Sequence, residues 1–305
     1  MSNNLLKFSK NVLVKPLTLL VNQTLKSGYF PSLLKKSRVK PLFKSGDISQ
    51  FSNYRPITLW PSISKVFENR IFNQLFDYFT LNNLFCVQQY GFRAGHSTEL
   101  AALRFIDQLV KQMDNRFVPI SIFIDLSKAF DTLDHSILLS KLKHYGVHGT
   151  EHALFTNYLS NRQQYVEYND AKSTCNSILT GVPQGSILGP LLFLIYINDL
   201  PMVSNVFDML MYADDTTLFC NMSQTLDESR INLEIDKINI WLASNKLSLN
   251  VKKTKCMVFH TTNKKVDYPT LRINNTDRER MTQITLLGII INSRLNWSNH
   301  VDLYI

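Results

Sequence analysis

Apolar residues recur along the chain with two different periods, which predicts a mixture of helices and strands. They return about every 3.6 positions within 17–25, 63–79 and 231–242, as on the buried face of a helix. The run at 120–124 is instead apolar enough to form a strand that is buried on both faces. The segment 191–200 is apolar almost all round and predicts a fully buried helix. We therefore expect an α+β protein.

Glycine and hydroxyl residues refine the expected helix ends. Gly28 is placed to end the first helix, and Ser97 or Thr98 can cap a later one. That later helix carries apolar residues at helical spacing, namely Leu100, Leu103, Ile106 and Val110. These positions define its expected apolar stripe.

Two adjacent carboxylates, Asp214 and Asp215, interrupt the otherwise apolar stretch 211–219. Strand-like segments lie on either side, which predicts a hairpin with both acids at its tip. Like charges this close raise each other's pKa and are costly near apolar surface unless a cation lies against them. Mg²⁺, which prefers oxygen ligands, is one such cation. The alternative is an ordinary solvated turn, which is the commoner setting for two neighbouring aspartates.

A third acid, Asp125, ends the buried strand at 120–124. If that strand and the Asp214/Asp215 hairpin are neighbours in one antiparallel sheet, the three carboxylates converge. Such a site could hold two Mg²⁺ ions about 3.5–4 Å apart, which activate an attacking hydroxyl and neutralise a leaving phosphate.

Composition and charge narrow the class of protein. With 305 residues and 45% hydrophobic content, the chain can bury a large core. Its net charge of +9 favours a polyanionic partner such as nucleic acid. The four cysteines are far apart, so we expect neither a zinc site nor disulfides, and an intracellular location. We also expect no membrane segment, because no apolar run is long enough to span a bilayer.

Other side chains near these segments have structural explanations. His144, His148 and His152 would face one way on an unbroken helix, but Gly146 and Gly149 argue against that helix and a zinc site. Two further acids near Asp125 are expected to cap or orient the following helix rather than to bind metal, and these are Asp131 and Asp134.

Three motifs give the chain a family resemblance. Tyr-Ala-Asp-Asp at 212–215, Phe-Ile-Asp-Leu-Ser-Lys-Ala-Phe-Asp at 123–131 and Gly-Val-Pro-Gln-Gly-Ser-Ile-Leu-Gly-Pro at 181–190 resemble the core motifs of reverse transcriptases. The similarity is to those of LINE-type non-LTR retrotransposons, in the family's order and spacing. The resemblance runs from about residue 15 to 300, with supporting matches at 53–57, 91–93 with 97–98, 250–254 and 287–288.

The resemblance implies an RNA-directed DNA polymerase with a two-metal site. Asp125, Asp214 and Asp215 would hold two Mg²⁺ ions, with Mn²⁺ as an acceptable substitute, and Lys253 would act on the departing pyrophosphate. The incoming dNTP would be bound by a further set of residues: Lys44, Arg55, Phe130, Gln184 and Gly185. The implied partners are an RNA template and a DNA primer, and the implied compartment is cytoplasm or nucleus.

Specific roles follow within that set. Lys44 and Arg55 would clamp the triphosphate, and Phe130 would reject a ribose 2′-hydroxyl by steric contact. Gln184 would contact the incoming nucleotide. Gly185, like Gly181, would let backbone approach the template, although an ordinary tight turn also explains a glycine at these positions.

The resemblance also implies a right-hand polymerase fold with its thumb missing or truncated. The expected divisions are a helical extension (1–28), fingers (29–118), palm (119–143), a fingers/palm connection (144–178), palm (179–262), and the end of the palm with the start of the primer grip or thumb (263–305).

Two other functions are compatible with parts of this pattern. One is a non-catalytic, nucleic-acid-binding remnant of a mobile element, which would bind RNA–DNA hybrids without extending them. The other is a different phosphoryl-transfer enzyme on a palm-like sheet, such as a nucleotidyl cyclase. The Pro183-Gln184-Gly185 loop counts against the second.

Overall fold

The computed structural model describes residues 3–222, 228–260, 271–273, 276–277 and 280–302. Its helices are α1 (Asn3–Phe8), α2 (Lys10–Ser27), α3 (Ser62–Leu81), α4 (Thr98–Asp114), α5 (Ala129–Thr132), α6 (His135–His144), α7 (Gly149–Leu159), α8 (Leu188–Ile197), α9 (Glu228–Ser244) and α10 (Ser298–Val301). Its strands are β1 (Lys36–Phe43), β2 (Tyr54–Leu59), β3 (Val118–Ile124), β4 (Arg162–Tyr168), β5 (Ala171–Lys172), β6 (Asn176–Ile178), β7 (Asp208–Tyr212), β8 (Asp215–Met222), β9 (Lys255–Val258), β10 (Arg272–Ile273), β11 (Thr276–Asp277), β12 (Gln283–Leu286) and β13 (Ile289–Asn292). The α+β class is as predicted. No helix of the described ranges is both long and apolar enough to cross a bilayer.

The chain forms two compact units that alternate along the sequence. The first unit comprises Met1–Phe85 and Phe130–Tyr196, and the second comprises Cys86–Ala129 and Ile197–Ile305. Each unit is therefore assembled from two separate stretches of chain.

In the first unit, a sheet runs in the order β2-β1-β4-β5, with β6 also paired to β4. Strand β1 is antiparallel to β2 and parallel to β4. Helix α3 buries the stripe expected from its period, including Phe67, Ile71, Leu75 and Phe79. Helix α8 is buried throughout the segment Leu191–Ile197, which confirms that it is a core helix.

In the second unit, a sheet runs in the order β7-β8-β3-β9. All seven residues of β3 are buried, as predicted for a strand covered on both faces. Strand β3 is antiparallel to both of its neighbours, β8 and β9. Helix α9 buries the predicted face of Ile231, Ile235, Ile238 and Leu242.

The apolar stripe expected for α4 is wrong. Leu100, Leu103 and Val110 are 47%, 63% and 41% exposed. The buried face instead carries two alanines, a phenylalanine and one leucine, namely Ala101, Ala102, Phe105 and Leu109. The Phe105 ring makes edge contacts with three aromatic rings of the sheet: Phe123 in β3, Phe219 in β8 and Phe259 directly after β9. The small alanines near Phe105 let α4 lie close to the sheet. The fit of side chains against the sheet, rather than the number of leucines, therefore determines which face of α4 is buried.

The helix ends follow local chemistry. Gly28 takes a left-handed conformation with φ +67 and ends α2, as predicted. Of the two candidate caps for α4, Ser97 is the one, because its side chain accepts a hydrogen bond from the Leu100 N–H at 3.2 Å. Asp134 caps α6 through the Ser136 and Ile137 N–H groups, which confirms its expected role.

The three spaced histidines do not share a helix. Helix α6 ends at His144, and α7 begins at Gly149 after the N-cap residue His148. His152 has a ring nitrogen 3.1 Å from the Leu139 carbonyl oxygen. The expected break at Gly146 and Gly149 is therefore confirmed, and these histidines lack the common face that a helical metal site requires.

A buried polar cluster joins α3 of the first unit to the loop before α8. The fully buried Glu68 carboxylate accepts hydrogen bonds from the Ser64 hydroxyl at 2.9 Å and the Ile187 N–H at 2.8 Å. The buried guanidinium of Arg162 lies 4.2 Å from the Trp60 ring centroid. Burial raises the pKa of Glu68, while its hydrogen bonds and the Arg162 charge oppose that effect. The loop before α8 is therefore held by a group that is costly to bury.

Replacing Glu68 with methionine is expected to lower the free energy of unfolding by about 3 kcal/mol, because the buried Arg162 loses a nearby negative charge and the Ile187 N–H loses its acceptor. The matched control is Glu167→Gln, which breaks a partly exposed ion pair with Arg38. That substitution should cost less than about 1 kcal/mol. Urea denaturation measures both losses, and equal losses would contradict the structural role of Glu68.

Candidate active site

The predicted hairpin is present in the second unit. Strands β7 and β8 pair in antiparallel register up to Tyr212 opposite Asp215. Ala213 and Asp214 thus form a two-residue turn, and Asp215 is the first residue of β8. Ala213 has φ +56, a conformation that glycine normally supplies at such turns and that costs alanine about 1 kcal/mol or more. The surrounding structure must hold this turn.

Asp125 lies at the same edge of the same sheet. Strand β3 is antiparallel to β8, with its last residue, Ile124, opposite Thr216. Asp125 comes directly after Ile124, and Asp215 directly precedes Thr216. The structure therefore brings the three predicted acids together, as expected if the strand and the hairpin were neighbours.

The environment of the two hairpin acids, Asp214 and Asp215, disfavours their charged forms. Burial is the largest cause that raises the pKa of Asp214, and the negative charge of Asp125 raises it further. The pKa of Asp215 is raised by burial, then by the charges of Asp214 and Asp125. Asp215 still reaches solvent, so its desolvation is partial. A cation bound among the three carboxylates would relieve all of these effects.

The donor set fits a divalent cation by its chemistry. Three carboxylates offer the hard oxygen ligands that Mg²⁺ and Mn²⁺ prefer. Within the ranges that the structure describes, no three His, Cys, Asp or Glu side chains lie close enough together to bind one metal ion as they stand.

Lys253 lies in a turn that is bonded to the backbone around Asp125. The Asn250 N–H donates to the Asp125 carbonyl at 2.8 Å, and the Lys253 N–H donates to the Asn250 carbonyl at 3.1 Å. The Thr254 hydroxyl also donates to the Asn250 carbonyl, at 3.0 Å. The Lys253 side chain is exposed. Sequence reasoning included this segment as a motif but missed that Asn250 and Thr254 anchor it.

In the first unit, Phe130 is tied to the Gly-rich loop at 181–189. Its carbonyl accepts a hydrogen bond from the Val182 N–H at 2.8 Å. Its half-buried ring stacks on Phe193 with centroids 4.3 Å apart. The ring thus has a fixed support on α8.

The tip of that loop is exposed but anchored. The Trp60 indole N–H donates to the Gln184 carbonyl at 2.9 Å, which leaves the Gln184 side chain in solvent. Gly185 has φ +73, and a Cβ there would lie 3.0 Å from the Thr58 carbonyl oxygen. At Gly181 a Cβ would lie 2.6 Å from the Asp131 carbonyl oxygen. The protein's own backbone therefore already requires both glycines.

Lys44 and Arg55 are exposed on the β1–β2 hairpin of the first unit. Arg55 pairs with Leu42, and the Lys44 N–H continues the ladder by donating to the Asn53 carbonyl at 2.8 Å. Because Leu42 and Lys44 are two residues apart, Lys44 and Arg55 lie on the same face of the hairpin. The predicted nucleotide-binding residues thus belong to the first unit, whereas the three acids and Lys253 belong to the second.

Comparison with known proteins gives consistent results. The family described as "Reverse transcriptase (RNA-dependent DNA polymerase)" matches residues 35–291. The chain is 30% identical over 291 residues to the "Probable RNA-directed DNA polymerase from transposon X-element" of Drosophila melanogaster, covering 93% of this chain and 32% of that protein. It is 28% identical over 294 residues to the "RNA-directed DNA polymerase from mobile element jockey" of the same species, with the same coverage. The chain therefore spans about a third of the length of these relatives.

Solved structures share the fold at much lower identity. Apo telomerase from Candida tropicalis, truncated from its C-terminal domain, matches with a TM-score of 0.59 at 12% identity, over 87% of this chain and 55% of that one. Telomerase from Candida albicans in complex with a fragment of telomeric RNA matches with a TM-score of 0.57 at 13% identity, over 88% and 46%. These matches confirm the right-hand polymerase fold. Since the family match extends over most of its length, the chain belongs to the reverse transcriptase (RNA-dependent DNA polymerase) family, and it is a domain of the type carried by LINE-type non-LTR retrotransposons.

Proposed function

We propose that this chain catalyses RNA-templated DNA synthesis. In that reaction the primer 3′-hydroxyl attacks the α-phosphorus of a dNTP, a new P–O bond forms, and the bond to pyrophosphate breaks. The observation that carries the proposal is the edge of the β7-β8-β3-β9 sheet, where Asp125, Asp214 and Asp215 meet and the pKa values of the two hairpin acids are raised. Two Mg²⁺ ions, or Mn²⁺ in their place, would supply charge neutralisation and activation of the hydroxyl when bound.

The chain's own groups have the following proposed roles. The three aspartates hold the cations, and Lys253 neutralises or protonates the departing pyrophosphate. The exposed cations Lys44 and Arg55 donate hydrogen bonds to the triphosphate, where negative charge develops. Phe130, Gln184 and Gly185 bind the sugar and base of the incoming nucleotide. We assign the fingers to 29–118 and 144–178, and the palm to 119–143 and 179–262.

A basic cleft in the first unit supports an RNA template as partner. The cleft has a volume of about 800 Å³ and is lined by cations and aromatic rings, among them Lys36, Arg38, Lys65, Lys172 and Tyr165. The Lys36 ammonium lies 5.5 Å from the Tyr165 ring centroid. Lysine and arginine contact nucleic-acid phosphates, and an exposed aromatic ring can stack on an unpaired base. Template copying would take place in the cytoplasm or the nucleus.

Primer extension on an RNA template with Mg²⁺ tests the proposed activity. The Asp214→Asn variant is expected to lose at least about 100-fold in rate, because cation-mediated charge stabilisation contributes several kcal/mol to such transition states. The control is Asp208→Asn, which removes an exposed carboxylate from the other end of β7 and should extend normally. Normal extension by Asp214→Asn would overturn the assignment. Salt-sensitive hybrid binding by the unaltered chain, without extension, would instead identify a non-catalytic remnant.

Replacing Phe130 with valine is expected to raise ribonucleotide incorporation relative to deoxynucleotide incorporation by roughly tenfold or more, because the smaller side chain leaves room for a 2′-hydroxyl. Competition between matched rNTP and dNTP substrates measures this ratio. Retained dNTP incorporation serves as the control for folding. An unchanged ratio would remove the steric role of Phe130.

Removing one acidic charge is expected to stabilise the cation-free protein. Burial raises the pKa of Asp214 above its unfolded value, so this group lowers the stability of the unaltered chain as pH rises between those two values, and Asp214→Asn lacks that contribution. At neutral pH without divalent cations, Asp214→Asn should melt higher by a few degrees, since each kcal/mol shifts Tm by about 2–4 °C. Adding Mg²⁺ should raise the Tm of the unaltered chain more than that of the variant. Equal responses to Mg²⁺ would argue against cation binding at Asp214.

A further inference from the structure

Gln89 is a buried side chain that contacts the turn carrying the catalytic carboxylates. It lies in the second unit, as the turn does, and only 1% of it is exposed. Its side-chain oxygen accepts a hydrogen bond from the Ala213 N–H at 2.9 Å, and its side-chain nitrogen donates to the Ala213 carbonyl at 3.3 Å. One amide thus satisfies both polar groups of the residue that directly precedes Asp214.

The backbone around Gln89 adds a short parallel bridge to β7. The Tyr90 N–H donates to the Met211 carbonyl at 2.8 Å, and the Met211 N–H donates to the Gln88 carbonyl at 2.9 Å. The side-chain bonds to Ala213 extend this bridge beyond the end of β7. The segment at 88–91 therefore lies along the hairpin up to the turn itself.

Gly91 makes the close approach feasible. A Cβ at this position would lie 2.2 Å from the Ala213 nitrogen, closer than van der Waals contact allows. The Gly91 N–H also donates to the Gln89 side-chain oxygen at 2.7 Å, which fixes the rotamer of the amide. This glycine therefore serves the protein's own catalytic turn.

The turn needs such support. Ala213 has φ +56, in a region that L residues other than glycine enter at a cost. Asp214 and Asp215, two adjacent carboxylates, follow at once in the chain. A strained turn that carries repelling charges would relax unless neighbouring groups hold it.

We propose that Gln89 is a positioning residue, which holds Ala213 in its left-handed conformation and thereby directs the Asp214 and Asp215 carboxylates. The side chain does not reach the reacting atoms in this role. Its two bonds to one residue require an acceptor and a donor on the same planar group, which an amide has and a carboxylate lacks. Asparagine offers the same group but is one methylene shorter. The consequence for catalysis rests on the proposed polymerase activity, whereas the hold on Ala213 does not.

The test variant is Gln89→Met, which keeps the volume of the side chain and removes both bonds. Hydrogen exchange of peptides covering 208–216, read by mass spectrometry, should accelerate by roughly tenfold or more at the turn, as expected when a buried hydrogen bond is lost. In primer extension, kcat should fall on the order of 10- to 100-fold with little change in KM for dNTP, because misdirected carboxylates impair the chemical step rather than nucleotide binding. Gln88→Met is the matched control, since Gln88 contacts β7 through its backbone carbonyl, which the substitution retains.

A second substitution separates positioning from general stability. Glycine adopts a positive φ without strain, so adding Ala213→Gly should reduce the loss of kcat that Gln89→Met causes. The comparison is between the effect of Gln89→Met in the unaltered chain and its effect in the Ala213→Gly variant. If Gln89→Met only damaged the general stability of the protein, the loss of kcat would be equally large in the unaltered chain and in the Ala213→Gly variant. Rescue of kcat by glycine therefore supports the role of Gln89 in holding the turn.

The proposal is overturned if hydrogen exchange at the turn is unchanged in Gln89→Met, or if exchange is faster but kcat is unchanged. It is also overturned if Gln89→Met lowers kcat as much in the Ala213→Gly variant as in the unaltered chain. If the unaltered chain extends no primer, the proposed function fails on its own. The exchange measurement then still decides whether Gln89 holds Ala213.

Discussion

The second unit is organised around one electrostatic constraint, which is that carboxylates of like charge must be kept together at the edge of an apolar sheet. Strand β3 is buried over its whole length, so its backbone cannot shift to let Asp125 move away from the hairpin. Its two antiparallel neighbours fix its register on both sides. Rigid packing behind the three acids thus opposes the repulsion between them and keeps them at one edge of the sheet.

The first unit meets a comparable requirement by other means. Gln184 and Gly185, for which we propose contact with a nucleotide, are exposed, and an exposed loop is mobile unless its backbone is held. Here the anchors lie behind the loop: the Trp60 indole holds the Gln184 carbonyl, and Glu68 holds the Ile187 N–H. Burying Glu68 near Arg162 is energetically expensive, so this cluster is better explained by the geometry it gives the loop than by stability.

Features set by local sequence patterns could be predicted, whereas contacts between residues far apart in the chain could not. Strand β3 and helix α9 were predictable because a local pattern determines which face is buried. Helix α4 was not, because its leucines give one stripe whereas the fit of Phe105 among aromatic rings selects another. The sequence motifs identify the three acids. The sequence also predicts that the acids converge if the strand before Asp125 and the Asp214/Asp215 hairpin are neighbours in one sheet. The contacts of Gln89 with Ala213 and of Glu68 with Ile187 could not be predicted from the sequence, since each contact joins residues more than a hundred positions apart in the chain.

The alternation of the two units along the sequence has a consequence for synthesis on the ribosome. The first unit is complete once Tyr196 has emerged, but at that point β3 has neither of its neighbours, because β8 and β9 follow later. At about 5–20 residues per second, strand β3, which is fully buried in the folded protein, waits on the order of 5–20 seconds for β8. A nascent chain with such an unpaired strand is prone to aggregate. The strand that leads into Asp125 thus stays without its sheet partners while about a hundred further residues are made.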